Sequence, residues 1–350
     1  MAGAEHVTAR PANDDPVAGP LRFRVAEGQW DDHRVRSELL GPLDGKFGTT
    51  LTEPRIDPPP DYEAWALEMD NGDLALFAWT DDRAFWLGNT ETPESLWRTD
   101  KVSFDRAPYP LARWAQRELL DRLAETDTWL ADHRHVAWFF LPVFFSKDGR
   151  ETTRAFFRDH AAGFPDATRE EGLAFLDDLL RTTPLDDHRY TMAAKLGTSE
   201  GMDVTRMSAT IGEFMVAKLL ADAGYAFVPE VELDSGYALD FRVTADRGDV
   251  LVEVTRPVPP ARRRTNDPAA AIQATAGTKT DGQLAAHGDA VLFVDCSSFR
   301  DDEWPAIRDG RPAVGHEPAV VFRARPDGSV EGYAVGTLPL DLGGAIDWVR

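Results

Sequence analysis

The chain has 350 residues, enough for two domains at about 100–200 residues each. Lys and Arg total 38 against 60 Asp and Glu, a formal charge of −22, yet hydrophobic residues still make up 43%. That apolar share supplies a core and excludes a wholly disordered acidic chain. A single cysteine excludes a disulfide scaffold and a cysteine-based zinc site. The longest apolar run, His135–Ser146, contains Pro142 and falls short of the roughly 18 residues of a membrane span. The first twenty residues carry no apolar stretch of a signal peptide, so the sequence reads as soluble and cytoplasmic, with no membrane partner.

In chain order, residues 1–20 are Ala-, Pro-, Asp- and Gly-rich without periodicity and read as a disordered tail. Segments 62–69, 73–79 and 83–87, separated by turn signals such as Asn71–Gly72, predict an antiparallel meander. Leu111, Ala115, Leu119 and Leu123 predict a helix continuing to Leu130. The continuous apolar run His135–Phe145 predicts a buried strand broken at Pro142. Thr168 and Glu171 form a capping box ahead of a leucine-rich helix, and a further helix is expected over Asp187–Leu196. Gly197–Gly201 reads as a linker, which sets an N-terminal α+β domain at 21–202 and a C-terminal domain at 203–350.

The second half has a clearer order. Met207–Ala223 is expected to be helical and stopped by Gly224. Strands follow at Phe227–Leu233, Tyr237–Val243 and Asp249–Thr255, the first two joined at Asp234–Ser235–Gly236. Asn266 or Asp267 caps a helix that begins at Pro268 and runs to about His287. Ala290–Cys296 is apolar on both faces, as a central parallel strand is, and a hairpin over 318–336 trails it.

Alternation along a strand decides which side chains share a face. It puts Asp240 and Glu253 on one surface of adjacent strands. Two carboxylates among apolar residues are costly to leave unpaired, and a divalent cation is the simplest partner. Oxygen-only ligation suits Mg2+ or Mn2+. Glu213, on the preceding helix, supplies a third carboxylate.

At these residues the chain resembles the PD-(D/E)XK nuclease superfamily. Glu213 matches that family's helix acid, Asp240 in GYALDFRV its strand Asp, and Glu253 in VLVEVTRP the Glu of its Glu-x-Lys. The resemblance covers roughly Asp203 to Cys296, about a quarter of the chain. It implies a restriction-endonuclease-like α-β-β-β-α-β core and a metal-dependent hydrolase acting on DNA or RNA. Asp240 and Glu253 would be the metal ligands. Thr255 stands where the family carries its Lys. Some members place that Lys on the following helix, where this chain has Lys279; Lys279 and Glu213 are then the catalytic candidates, with Gln273 and Gln283 beside them. A catalytically degenerate fold that binds nucleic acid or a protein is the alternative. The loop Arg256–Arg264 (RPVPPARRR) holds four Arg and no acid, so Arg256, Arg262, Arg263 and Arg264 are the expected phosphate contacts. The whole chain, with six Lys against 32 Arg, also resembles acidic proteins of salt-in halophiles, in which global charge says little about nucleic-acid binding.

Overall fold

The computed structural model describes residues 22–88, 107–144, 150–182, 185–197, 201–233, 238–257 and 267–349. The expected tail over 1–20 lies outside them. The fold is mixed α/β with two separate sheets. Among the described residues, no helix is long and apolar enough to cross a membrane. The chain divides into two compact units, Met1–Arg150 and Glu151–Arg350.

The first unit is built on a five-stranded sheet. Its strands are β1 (Arg22–Glu27), β2 (Thr49–Thr52), β3 (Glu63–Met69), β4 (Leu74–Trp79) and β5 (Arg83–Gly88). They lie in the order β1-β5-β4-β3-β2 and pair antiparallel throughout. The meander expected from 62–87 is β3 to β5, flanked by two strands that alternation alone did not reveal. Asn71–Gly72 makes its turn: Gly72 has φ +78°, and the Asn71 side chain accepts from Asp73 N at 2.9 Å. Val35, Leu39 and Leu43 from a helical segment over 32–47, with Trp30 just before it, bury against Leu67, Phe77 and Trp86 of the sheet. Helix α1 (Tyr109–Thr126) follows. Its buried Glu118 accepts from the backbone N–H of Arg55 and Ile56 and from Arg122 Nε. A buried carboxylate is tolerated because its lone pairs are met in this way.

The expected strand over His135–Phe145 is instead helical, over 134–139 and 141–144. Val136 to Leu141 are all buried, so the run carries neither a two-residue nor a 3.6-residue period to tell the two states apart.

The second unit begins with α2 (Arg150–Asp159), α3 (Arg169–Thr182) and α4 (Arg189–Gly197). Thr168 and Glu171 cap α3 reciprocally, at 2.9 and 3.2 Å. Both α3 and α4 pack on the long helix α5 (Val204–Asp222). The compact units therefore part at residue 150, whereas the linker composition of 197–201 suggests a boundary near 203. A Gly-rich connection can join two helices of one core.

After α5 come β6 (Ala226–Glu232), β7 (Ala238–Ala245), β8 (Gly248–Thr255), α6 (Pro268–Asp281) and β9 (Val291–Asp295). Then follow α7 (Trp304–Gly310), β10 (Ala319–Ala324), β11 (Val330–Val335) and β12 (Asp347–Trp348). The sheet order is β12-β11-β10-β9-β8-β7-β6. β6, β7 and β8 pair antiparallel, while β8, β9 and β10 run parallel. Helix α6 starts as expected: Asp267 Oδ1 accepts from Ala269 N at 3.0 Å, with Pro268 at the first position. It ends at Asp281 rather than near His287. Ile272 and Ala276 of α6 share a core with Leu292 and Val294 of β9 and Trp304 of α7. This packing lays α6 over the end of β8.

Candidate metal centre

Three adjacent strands bring one carboxylate each into a row. Phe241 pairs with Val252, so Asp240 and Glu253 follow on β7 and β8 at the same level. On the other side, the pairs Pro229–Phe241 and Val231–Leu239 bracket Glu230 against Asp240. Glu230 has φ +55°, a left-handed conformation that non-glycine residues seldom adopt, and the ladder is interrupted at that residue. Glu213 comes from the middle of α5. A close approach of the helix places it there: a Cβ on neighbouring Gly212 would meet Arg256 Cβ at 3.2 Å. One carboxylate oxygen from each of Glu213, Glu230 and Asp240 lies within 4.8 Å of the others.

Two lysines sit at the ends of the row. Lys195 Nζ, from α4, donates to Glu213 and pairs with Glu230, and lies 3.7 Å from Asp240 Oδ1. Lys279 Nζ, from α6, donates to Glu253 Oε1 at 2.5 Å and to Gln283 Oε1 at 3.2 Å. Gln283 Nε2 in turn donates to Ala238 O at 2.8 Å, which fixes the amide between helix and strand. Asp240 Oδ2 accepts from Val254 N at 2.8 Å. Glu253 is 1% exposed, and its Oε2 has no hydrogen-bond partner.

Four carboxylates against two ammonium groups leave two negative charges in a largely buried place. Burial, with Asp240 adding to it, pushes the Glu213 carboxyl up to about 8 and that of Glu253 up to about 7. Burial raises Asp240 as well, against the pull of Lys195 and Lys279. For the lysines, burial opposes the charge but the carboxylates outweigh it, so both ammonium groups are held more firmly charged than usual. Glu213, Glu230 and Asp240 offer oxygen donors only, and the orphaned buried oxygen belongs to Glu253 next to them; donors of this kind could hold a hard divalent cation.

The expected site residues thus separate. Glu213, Asp240, Glu253 and Lys279 converge. Gln283 joins them, while Gln273 is exposed. Thr255 is 4% exposed and in register with Val294, beside the row but without charge. Arg256 does not serve a nucleic-acid surface. It is 2% exposed, its Nη1 is 3.3 Å from Asp295 Oδ2, and it donates to Ser298 Oγ and Gly163 O. Alternation turns it away from the Glu253 face, and the buried Asp295 receives it there. Arg262, Arg263 and Arg264 lie outside the described residues.

Sequence reasoning overlooked Lys195 and Glu230, although both left signals. Only six lysines occur in the chain, and among the described residues Lys195 and Lys279 meet this row. Glu230 and Asp240 each stand five residues from Ser235, the middle of the predicted turn, which is the register that opposes them.

No curated protein and no solved structure matches the chain. Residues 18–342 match a family described as "Family of unknown function (DUF5784)", a span that takes in both compact units, and the chain belongs to that family.

Proposed function

We propose that the acid row is the metal centre of a hydrolase that cleaves phosphodiester bonds in DNA or RNA, on a restriction-endonuclease-like core. One observation carries the reading. Glu253 is fully buried beside Asp240, with one carboxylate oxygen on Lys279 and the other unpartnered. An orphaned buried carboxylate oxygen is expensive, and a cation between Asp240 and Glu253 would satisfy it. The order helix, three antiparallel strands, helix, parallel strand over 204–295 supports the same core.

Asp240 and Glu253 would hold Mg2+ or Mn2+, with Glu213 assisting. A bound cation supplies Lewis-acid stabilisation of charge on a phosphate oxygen, worth several kcal/mol. Lys279 stands in for the lysine that Thr255 replaces. Its ammonium is fixed by Glu253 Oε1 and Gln283, positioned to orient a water and to neutralise charge as the phosphorus–oxygen bond breaks. Arg262, Arg263 and Arg264 would contact the backbone of the strand. The experiment is cleavage of labelled DNA and RNA by the full chain in KCl, with Mn2+ or with EDTA. Metal-dependent cleavage lost in Asp240→Asn supports the reading. Thr255 favours a second reading, a fold that binds without cleaving; metal-dependent binding with intact substrate selects it.

A further inference from the structure

Against the acid row lies a cavity of about 350 Å3, which shares Glu213 and Glu230 with the row. That volume falls at the small end of ligand pockets, about 300–1,000 Å3. Two helices line it. Thr191 and Lys195 are one turn apart on α4, and Arg206, Thr210 and Glu213 follow at helical spacing on one side of α5. Glu230 closes the strand side. The walls therefore carry two cations and two hydroxyls next to the carboxylates. Arg206 Nη1 donates to Lys195 O at 2.5 Å, so the two cationic residues are tied to each other through the backbone.

Lys195 belongs to both places. Its ammonium is at present engaged by Glu213, Glu230 and Asp240, yet its side chain remains 18% exposed on the cavity. A divalent cation and an ammonium do not share the same carboxylates without mutual repulsion. We propose that this cavity is the phosphate subsite of the centre. Lys195 yields its carboxylates to the divalent cation and, together with Arg206, takes a phosphate group of the nucleic-acid chain. The charge balance fits: four carboxylates and Lys279 with one divalent cation leave one negative charge, which faces Lys195 and Arg206 across the cavity. The Thr191 and Thr210 side chains add hydroxyl groups to the wall. The inference rests on the metal-centre reading above.

The exchange is tested by two affinities that move in opposite directions. Mn2+ alone is titrated calorimetrically into the full chain. Separately, a fluorescein-labelled single-stranded oligonucleotide is bound in Ca2+ and followed by anisotropy. Lys195→Met is expected to bind Mn2+ at least tenfold more tightly, because the competing ammonium is gone. It is expected to bind the oligonucleotide at least tenfold more weakly. Lys195→Gln should shift each affinity in the direction that Lys195→Met does, Mn2+ tighter and oligonucleotide weaker, and Arg206→Gln should weaken only the oligonucleotide. A merely structural role would weaken both affinities, so that result overturns the proposal, as does an unchanged Mn2+ affinity in the Lys195 variants. Asp240→Asn separates the two levels. Loss of Mn2+ binding in Asp240→Asn with no change in the Lys195 variants removes the exchange and leaves the metal centre standing. Undiminished Mn2+ binding in Asp240→Asn removes both.

Discussion

Lys279 and Glu253 are 26 residues apart in sequence, yet the lysine ammonium donates to Glu253 Oε1 at 2.5 Å. The helix, not the strand, delivers the cation to this carboxylate. Thr255, two residues beyond Glu253 on the same strand face, brings only a hydroxyl.

Lys279→Ala should therefore lower kcat by about 10²–10³, the cost of removing one preorganised donor aimed at developing charge. KM should change much less. Adding Thr255→Lys to that variant should restore part of the rate, since the strand position faces the same row. Steady-state cleavage of a labelled oligonucleotide measures both. Wild-type turnover in Lys279→Ala would remove the lysine from the mechanism.

Asp240 does two things at once: it faces the row and accepts from Val254 N. Asp240→Asn keeps an acceptor for that N–H and should abolish cleavage with little loss of stability. Asp240→Ala leaves the N–H without its partner and should cost about 1–3 kcal/mol more. Urea unfolding of the metal-free variants distinguishes the two.

The raised carboxyls make a pH prediction with a definite sign. Glu213 and Glu253 are held near 8 and 7 in the fold against an ordinary 4.5. Below about pH 4.5 both states are protonated and this contribution to stability is fully present. It is lost progressively as pH rises from about 4.5 and is gone once pH has passed through 7 to 8, because over that interval the unfolded chain has given up protons that the buried acid row still holds. The metal-free thermal midpoint should fall between pH 5 and pH 8, and Glu213→Gln should flatten that fall. Mn2+ affinity should rise over the same interval, because the carboxylates must be deprotonated to bind. A midpoint that climbs with pH would contradict the burial described for these groups.

Much of the second unit was legible in the sequence because its signals are local. Gly224 at φ +82° ends α5, Asp267 caps α6, and alternation sets Asp240 and Glu253 on adjacent strands. Lys279 was legible through a family resemblance and its scarcity. Long-range relations were not. Nothing near Lys195 in sequence announces that α4 packs on α5 beside β6. The burial of Arg256 depends on Asp295, 39 residues on, and on Gly163, far upstream. The run 135–145 failed for a different reason, since burial on every side erases the period.

Arg256 gives a prediction of its own. Arg256→Met should destabilise the fold by about 3–5 kcal/mol, because Asp295 is left buried and unpaired. Arg256→Met with Asp295→Leu should recover most of that loss. Neither should alter the salt dependence of nucleic-acid binding. Replacing Arg262, Arg263 and Arg264 by Ala should flatten that dependence by up to about three phosphate equivalents. Chemical unfolding and binding across a KCl series report the two effects separately.

The central claim is that the acid row holds a divalent cation. Anomalous diffraction at the manganese edge, from crystals of the full chain soaked in Mn2+, tests it most directly. The account predicts a peak bounded by Asp240 and Glu253, within about 2.0–2.3 Å of Glu253 Oε2, and no such peak in Asp240→Asn. An empty row at saturating Mn2+, with Lys195 and Lys279 still seated on the carboxylates, would contradict it.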